Sequence, residues 1–178
     1  MATKISVIIP TYAPKDYLWE CLGSLENQTL SKDEFEVILV LNGEREPYES
    51  LIQKKLPEYS FNSTLLYSTP NGVSRARNLG MEKAQGCHIC FIDDDDWVSD
   101  NYLEDLLSKA CDNGIVEANV KDVDEVTREE SEQHFLSRAY KNYQPEKESS
   151  LFVNRSFFSS ACCKLLPKNC INGQRFDT

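Results

Sequence analysis

The chain has 178 residues, 40% hydrophobic and 10% aromatic, which suits one folded domain, or one plus a short appendage, and not a disordered chain. Its 29 acidic against 19 basic residues leave a net charge of -10, which argues against nucleic acid as the main partner, because phosphate backbones need clustered Lys and Arg. No apolar stretch approaches the roughly 20 residues of a membrane span, and the opening MATKISVIIPTY lacks a secretory pattern.

In chain order, residues 5–9 form an apolar run ended by Pro10 and read as a buried strand. Residues 16–27 place Leu18, Cys21, Leu22 and Leu25 at i, i+3, i+4 and i+7, one face of a helix. FEVILVL, residues 35–41, is a strand too continuously apolar to have a wet face. Residues 47–56 read as a helix and 64–67 as a short strand. Asn71-Gly72 then opens a helix over 74–84 that carries Arg75 and Arg77. A strand over 88–92 follows, then a helix over 101–111 with Leu103, Leu106, Leu107 and Ala110 inward, and a further strand over 115–120. Alternating β and α units with runs buried on both faces predict an α/β fold: a doubly wound, mainly parallel sheet with helices on both faces. After residue 120 the character changes. KDVDEVTREESEQ reads as a solvated loop and helix start, Phe135, Leu136 and Ala139 as a short amphipathic helix, YQPEKESS as a turn-rich break, and 151–171 as renewed apolar content. The expected division is 1–120, a ligand-binding α/β domain, and 121–178, a second region.

Seven cysteines, an odd number without framework spacing, point to a reducing cytoplasm. Cys87-His88-Ile89-Cys90 is a CxxC, but on a strand its two thiols point to opposite faces, which suits neither chelation nor a disulfide. Both read as core cysteines, and Cys162-Cys163 as packing.

In an open parallel sheet, ligands sit beyond the carboxyl ends of the strands. There the sequence places Pro10-Thr11-Tyr12, then Asn42-Gly43, then Asn71-Gly72 with Arg77 behind it, and last four consecutive carboxylates, Asp93 to Asp96. Carboxylates about 5 Å apart repel by roughly 3 kcal/mol at an effective dielectric near 20, so something must offset them. Strand alternation would turn Asp93 and Asp95 into one cleft, where Mn2+ or Mg2+ could sit between hard oxygens and substrate phosphates. An aromatic ring, an amide, guanidinium groups and this cluster suit a nucleotide diphosphate with a metal. The bland alternative is a solvated acidic turn that caps the next helix, a role Asp96 or Asp100 could fill.

SVIIPTY, CLGSLENQT, FEVILVL, GVSRARNLGMEKAQG and FIDDDDW, in this order and spacing, resemble glycosyltransferase family 2 over residues 4 to about 110. CCKLLPKNCINGQRF is similar to a later family segment. The resemblance implies a GT-A, Rossmann-like fold and transfer of a sugar from a nucleotide diphosphate donor, UDP-linked, with metal dependence and inversion. It implies that Pro10, Thr11 and Tyr12 line the nucleoside pocket, and that Arg77 binds the nucleotide. In its DxD motif Asp93 would meet the ribose or sugar, Asp94 would be the variable middle position, and Asp95 would hold the metal. Where the family has an Asp that accepts from the uracil imide, this chain has Asn42, whose amide oxygen can accept the same bond; a plain turn pair with Gly43 is the alternative.

In inverting members a later Glu-Asp motif supplies the base. The chain ends at Thr178, in GQRFDT, where that motif would be expected, and Asp177 aligns with the residue before it. The base is therefore expected beyond Thr178 and none is assigned. Residues 121–178 read as the start of an acceptor-side region, cut short. The acceptor could be a carbohydrate, a lipid-linked group or a protein. With the cysteine usage this reads as a cytoplasmic enzyme, at the inner face of the membrane where a later part makes a peripheral contact. Two rivals stand beside it: a nucleotide-binding or scaffolding module without turnover, and a nucleotidyltransferase. The latter carries a Gly-rich, Lys/Arg-containing loop after the first strand, which PTYAPKDY does not supply.

Overall fold

The computed structural model describes residues 3–124, 126–142, 160–171 and 173–178. The turn-rich break and residues 151–159 of the later apolar run lie outside them. Strand β1 (Ile5–Thr11), helix α1 (Asp16–Glu26) and strand β2 (Phe35–Asn42) open the fold. Helix α2 (Tyr48–Lys55), strand β3 (Asn62–Ser68) and helix α3 (Val73–Lys83) follow, then strand β4 (His88–Phe91) and helix α4 (Tyr102–Ser108). Short strands β5 (Val116–Glu117), β6 (Asp122–Val123) and β7 (Glu130–Ser131), helix α5 (Phe135–Asn142) and strand β8 (Lys164–Pro167) complete the set.

The main sheet runs β3-β2-β1-β4-β8-β5. Its first four strands are parallel, with Ile5 opposite Phe35 and His88, and Ile8 opposite Ile38 and Phe91. Every residue of β1 and β2 is buried, because side chains alternate between two covered faces. Val7, Ile9, Val37 and Leu39 pack with Leu18 and Leu22 of α1, Ile52 of α2, and Leu103 and Leu106 of α4. Ile8, Ile38, Val40 and Phe91 turn the other way, onto Ala76 and Leu79 of α3. This is the expected doubly wound, mainly parallel arrangement with helices on both faces. Helix α3 approaches closely: a Cβ on Gly80 would stand 2.4 Å from Ile8 Cγ2, so only glycine fits there.

Three expectations change. The strand foreseen over 115–120 shortens to Val116–Glu117 and does not continue the parallel order. Instead β8 takes the free edge of β4, antiparallel, with Cys90 opposite Leu165, and β5 pairs with β8. The segment read as a loop and helix start forms the ribbon β6-β7. There Asp124 Oδ1 accepts the amides of Val126 and Thr127, and the Asp124 amide bonds Glu129, so one side chain makes the turn that a helix start would have needed. Cys87 is exposed, one position before β4 begins, whereas Cys90 is fully buried, so only the second is a core cysteine. Among the described residues no helix is long and apolar enough to cross a membrane.

Candidate functional site

The β1–β4 ladder ends just before Pro10. Even-numbered positions of β1 face β4: the Lys4 and Ile8 carbonyls accept the His88 and Ile92 amides. Pro10 falls on the same side without an N–H, so the ladder stops and the chain after Ile92 is free to turn. Pro10 itself stays buried opposite Val40.

Asp93 to Asp96 therefore form a turn, closed by the Asp96 amide on the Asp93 carbonyl at 3.1 Å. The expected sharing of one face by Asp93 and Asp95 rested on strand alternation, and β4 already ends at Phe91. Each carboxylate instead has its own surroundings. Asp93 Oδ1 accepts from the Arg77 guanidinium at 2.8 Å. Asp94 Oδ2 accepts from the Thr11 hydroxyl at 2.5 Å, where the β1–β4 register extended past Phe91 would put it. Asp95 and Asp96 are exposed, and their carboxylates take no hydrogen bond or ion pair among the described residues.

Burial lifts the Asp94 carboxyl above the ordinary carboxylate value, opposed by the Thr11 hydroxyl and reinforced by Asp95. Asp96 is open to water on one side. The protein around it and the charges of Asp95 and Asp93 nevertheless push it up to about 6. Beneath the turn, burial and the same carboxylates raise the Cys21 thiol, whose Sγ lies 3.8 Å from the Asp93 carbonyl. The repulsion noted in the sequence is thus partly offset by Arg77 and Thr11 and partly retained.

Among the described residues no three or more His, Cys, Asp or Glu side chains are arranged to hold a metal ion. The hard-oxygen donors left without a side-chain partner among the described residues are the Asp95 and Asp96 carboxylates. They fit an ion whose other ligands are phosphate oxygens and waters, the common pattern for Mg2+.

On the other flank, Asn42 is buried and uses both ends of its amide. Its Nδ2 donates to the Thr11 carbonyl at 2.9 Å, and its Oδ1 accepts the Gly72 amide at 3.3 Å. The Tyr12 ring is 60% exposed and lies over Gly43, where an added Cβ would meet Tyr12 Cδ2 at 2.7 Å. The Tyr67 hydroxyl donates to the Gly43 carbonyl at 2.9 Å. All the residues singled out in the sequence for donor and metal therefore gather on this edge.

Tyr67, Asn78 and Phe176 also belong to it and were missed. Asn78 Nδ2 donates to the Phe176 carbonyl at 3.0 Å, and its Oδ1 accepts the Phe176 amide at 2.9 Å. The Phe176 ring meets Phe91 edge-on, centroids 5.4 Å apart, and the Arg77 guanidinium lies 6.0 Å from the Phe91 centroid and 5.6 Å from that of Phe176. Asn78 follows Arg77 in the Ala-Arg-Asn segment, which was the one signal in the sequence that could have drawn attention to it. Asp177 and Thr178, which follow Phe176, are exposed. The general base was expected beyond Thr178, and the described residues leave that role unassigned.

Comparison with known proteins agrees with this geometry. The family model described as Glycosyl transferase family 2 matches residues 6–168. Glycosyltransferase GlyA of Streptococcus pneumoniae is 34% identical over 106 residues, 60% of this chain and 15% of that protein. Poly(ribitol-phosphate) beta-N-acetylglucosaminyltransferase TarS of Staphylococcus aureus is 31% identical over 105 residues, 59% of this chain and 18% of its own length. The crystal structure of S. aureus TarS 1-349 in complex with UDP-GlcNAc superimposes with a TM-score of 0.73 at 22% identity, over 98% of this chain and 49% of that one. The mannosyltransferase PcManGT from Pyrobaculum calidifontis, in complex with GDP-Man and Mn2+, gives 0.60 at 23% identity, over 68% of this chain and 36% of that one. These structures share the fold expected of a GT-A protein. The chain belongs to glycosyl transferase family 2. It spans less than a fifth of the length of GlyA and TarS.

Proposed function

We propose that this chain forms the donor-binding part of a metal-dependent, inverting glycosyltransferase that takes a UDP-linked sugar. The observation that carries the reading is the division of labour in the turn after β4. Asp93 and Asp94 are held by Arg77 and Thr11, while the Asp95 carboxylate, like that of Asp96, takes no side-chain partner among the described residues. Structures of TarS with UDP-GlcNAc and of PcManGT with GDP-Man and Mn2+ support the donor class and the ion.

In this reading Tyr12 lies along the base, with Pro10 and Thr11 as the floor of the nucleoside pocket. Asn42 Oδ1 keeps a lone pair beyond its bond to Gly72 and offers it to the uracil imide. Asp93 meets the ribose or sugar hydroxyls, and Asp94 serves through Thr11, joining the ends of β1 and β4. Arg77 faces the diphosphate, and Asp95 is the protein ligand for Mn2+ or Mg2+. When bound, the ion supplies positive charge to the departing diphosphate. Arg77 adds a fixed charge to the same leaving group. The acceptor hydroxyl attacks the anomeric carbon from the opposite face, its proton passing to a general base. The acceptor class, whether carbohydrate, lipid-linked group or protein, is left to its own assay. The free cysteines favour a reducing, cytoplasmic setting.

Thermal denaturation with UDP, with and without Mn2+, tests the reading. At a hundred times its dissociation constant UDP should stabilise the fold by about 2.7 kcal/mol, roughly 5–10 °C for a chain of this size. It should do so only with metal, and Asp95→Ala should remove the shift. Equal stabilisation of the Asp95→Ala protein takes Asp95 out of the site. Donor hydrolysis or transfer by the protein then separates an enzyme from a binding module.

A further inference from the structure

Residues 173–178 return to the sheet edge mainly through the Asn78 side chain, with the more exposed Arg175–Glu82 ion pair at 3.6 Å as a second, looser tie to α3. Asn78 bonds both the amide and the carbonyl of Phe176, residues 98 positions apart, so a side-chain amide takes the place of a neighbouring strand. The consequence falls on the preceding residue. Arg77 lies against the Phe91 and Phe176 rings, which stand at 86° to each other, and its side chain is only 16% exposed although Asp93, its partner, is 41% exposed. One wall of this corner, Phe91, belongs to the sheet and is fixed. The other, Phe176, is held at its backbone by the Asn78 pair and at its ring by the Phe91 edge contact, while the neighbouring Arg175–Glu82 ion pair is half-exposed and weaker.

A free arginine side chain has many rotamers to lose, and a binding site gains when that freedom is removed before the ligand arrives. We propose that Asn78 is a positioning residue for Arg77. By holding Phe176 over the guanidinium it fixes the charge where a nucleoside diphosphate presents its phosphates. The inference rests on the donor reading above and adds to it a second element, a segment remote in sequence that decides how tightly the diphosphate is gripped. It distinguishes the diphosphate from the nucleoside, because Asn42 ends β2 and Tyr12 lies over Gly43 beside it, whereas Phe176 packs on Phe91 of β4, on the other side of β1.

The test uses the full chain with Mn2+, titrated with UDP by calorimetry and with uridine by ligand-observed NMR. Asn78→Ala and Phe176→Leu should each weaken UDP about tenfold and leave uridine unchanged, and Phe176→Tyr, which keeps the ring, should bind UDP like the parent. Loss of UDP and uridine in equal measure means that Asn78 only supports the fold, and overturns the proposal. So does unchanged UDP affinity in both variants. Should Asn78→Ala fail to fold, Phe176→Leu decides, since it leaves the backbone pair intact. A parent chain that binds no UDP overturns the donor reading itself, an outcome distinct from selective failure of the variants.

Discussion

The Asn42 side chain donates to the Thr11 carbonyl at 2.9 Å and so ties the carboxyl end of β2 to that of β1, while its oxygen takes the Gly72 amide at the start of α3. An aspartate of the same shape could accept from Gly72 but could not donate to Thr11. It would set a carboxylate oxygen against a carbonyl in a buried position, close to a cluster that is already acidic. Asn42→Asp should therefore cost about 1–3 kcal/mol, the range for a buried polar group left unpaired. Denaturant unfolding would measure it as a lower midpoint at unchanged slope. A variant as stable as the parent would mean that the Thr11 carbonyl finds another donor.

Gly80 carries a different constraint. With Ile8 Cγ2 only 2.4 Å from where a Cβ would stand, Gly80→Ala must push α3 off β1. Over-packing of this kind costs about 1–3 kcal/mol, which in a domain of this size lowers Tm by roughly 2–4 °C per kcal/mol. Because α3 carries Arg77 and Asn78, UDP affinity should fall along with stability. A melting temperature equal to the parent's would show that the helix can shift without loss.

The thiols divide by burial. Cys87, Cys111 and Cys170 are exposed, whereas Cys21, Cys90 and Cys162 are buried. Burial pushes the Cys90 thiol up to about 12 and that of the half-buried Cys163 up to about 11, which removes the reactive thiolate at neutral pH. Ellman's reagent at pH 8 should modify the three exposed thiols quickly and the remainder only on unfolding. Rapid modification of Cys90 would contradict its place in the core.

Much of this was legible in the sequence because burial on both faces leaves a mark that needs no partner to interpret. FEVILVL can only be an interior strand, and Leu18, Cys21, Leu22 and Leu25 can only be one helical face, and both are found so. The site was readable as a gathering of residue types at strand ends, since parallel order alone decides which loops share an edge. Where a strand stops and which strand takes its edge are set by distant partners. β4 ends at Phe91, short of Asp93–Asp96, and β8 arrives antiparallel from 164–167 to take the edge of β4, with the short β5 beyond it. Asn78 and Phe176 meet across 98 residues through a single side chain, and no local pattern announces such a contact.

The carboxylate turn should leave a trace in the pH dependence of stability. Burial and its acidic neighbours raise Asp96 from an ordinary 3.8 to about 6 in the folded protein. A carboxyl raised in this way binds its proton more tightly folded than unfolded, so its contribution favours the fold at low pH. That contribution is lost as pH rises between about 4 and 6, and at neutral pH the charged group is a burden. Asp94 is raised too and acts in the same direction. Asp96→Asn should thus melt a little above the parent at pH 7 and level with it below pH 4. Because Asp96 is exposed, the difference should stay within a few degrees. Mn2+ at pH 7 should narrow it, since an ion at Asp95 also relieves the charge on its neighbour. A gap between the two proteins that is the same at pH 4 and pH 7 would show that Asp96 titrates as an ordinary surface aspartate and that the turn stores no repulsion there.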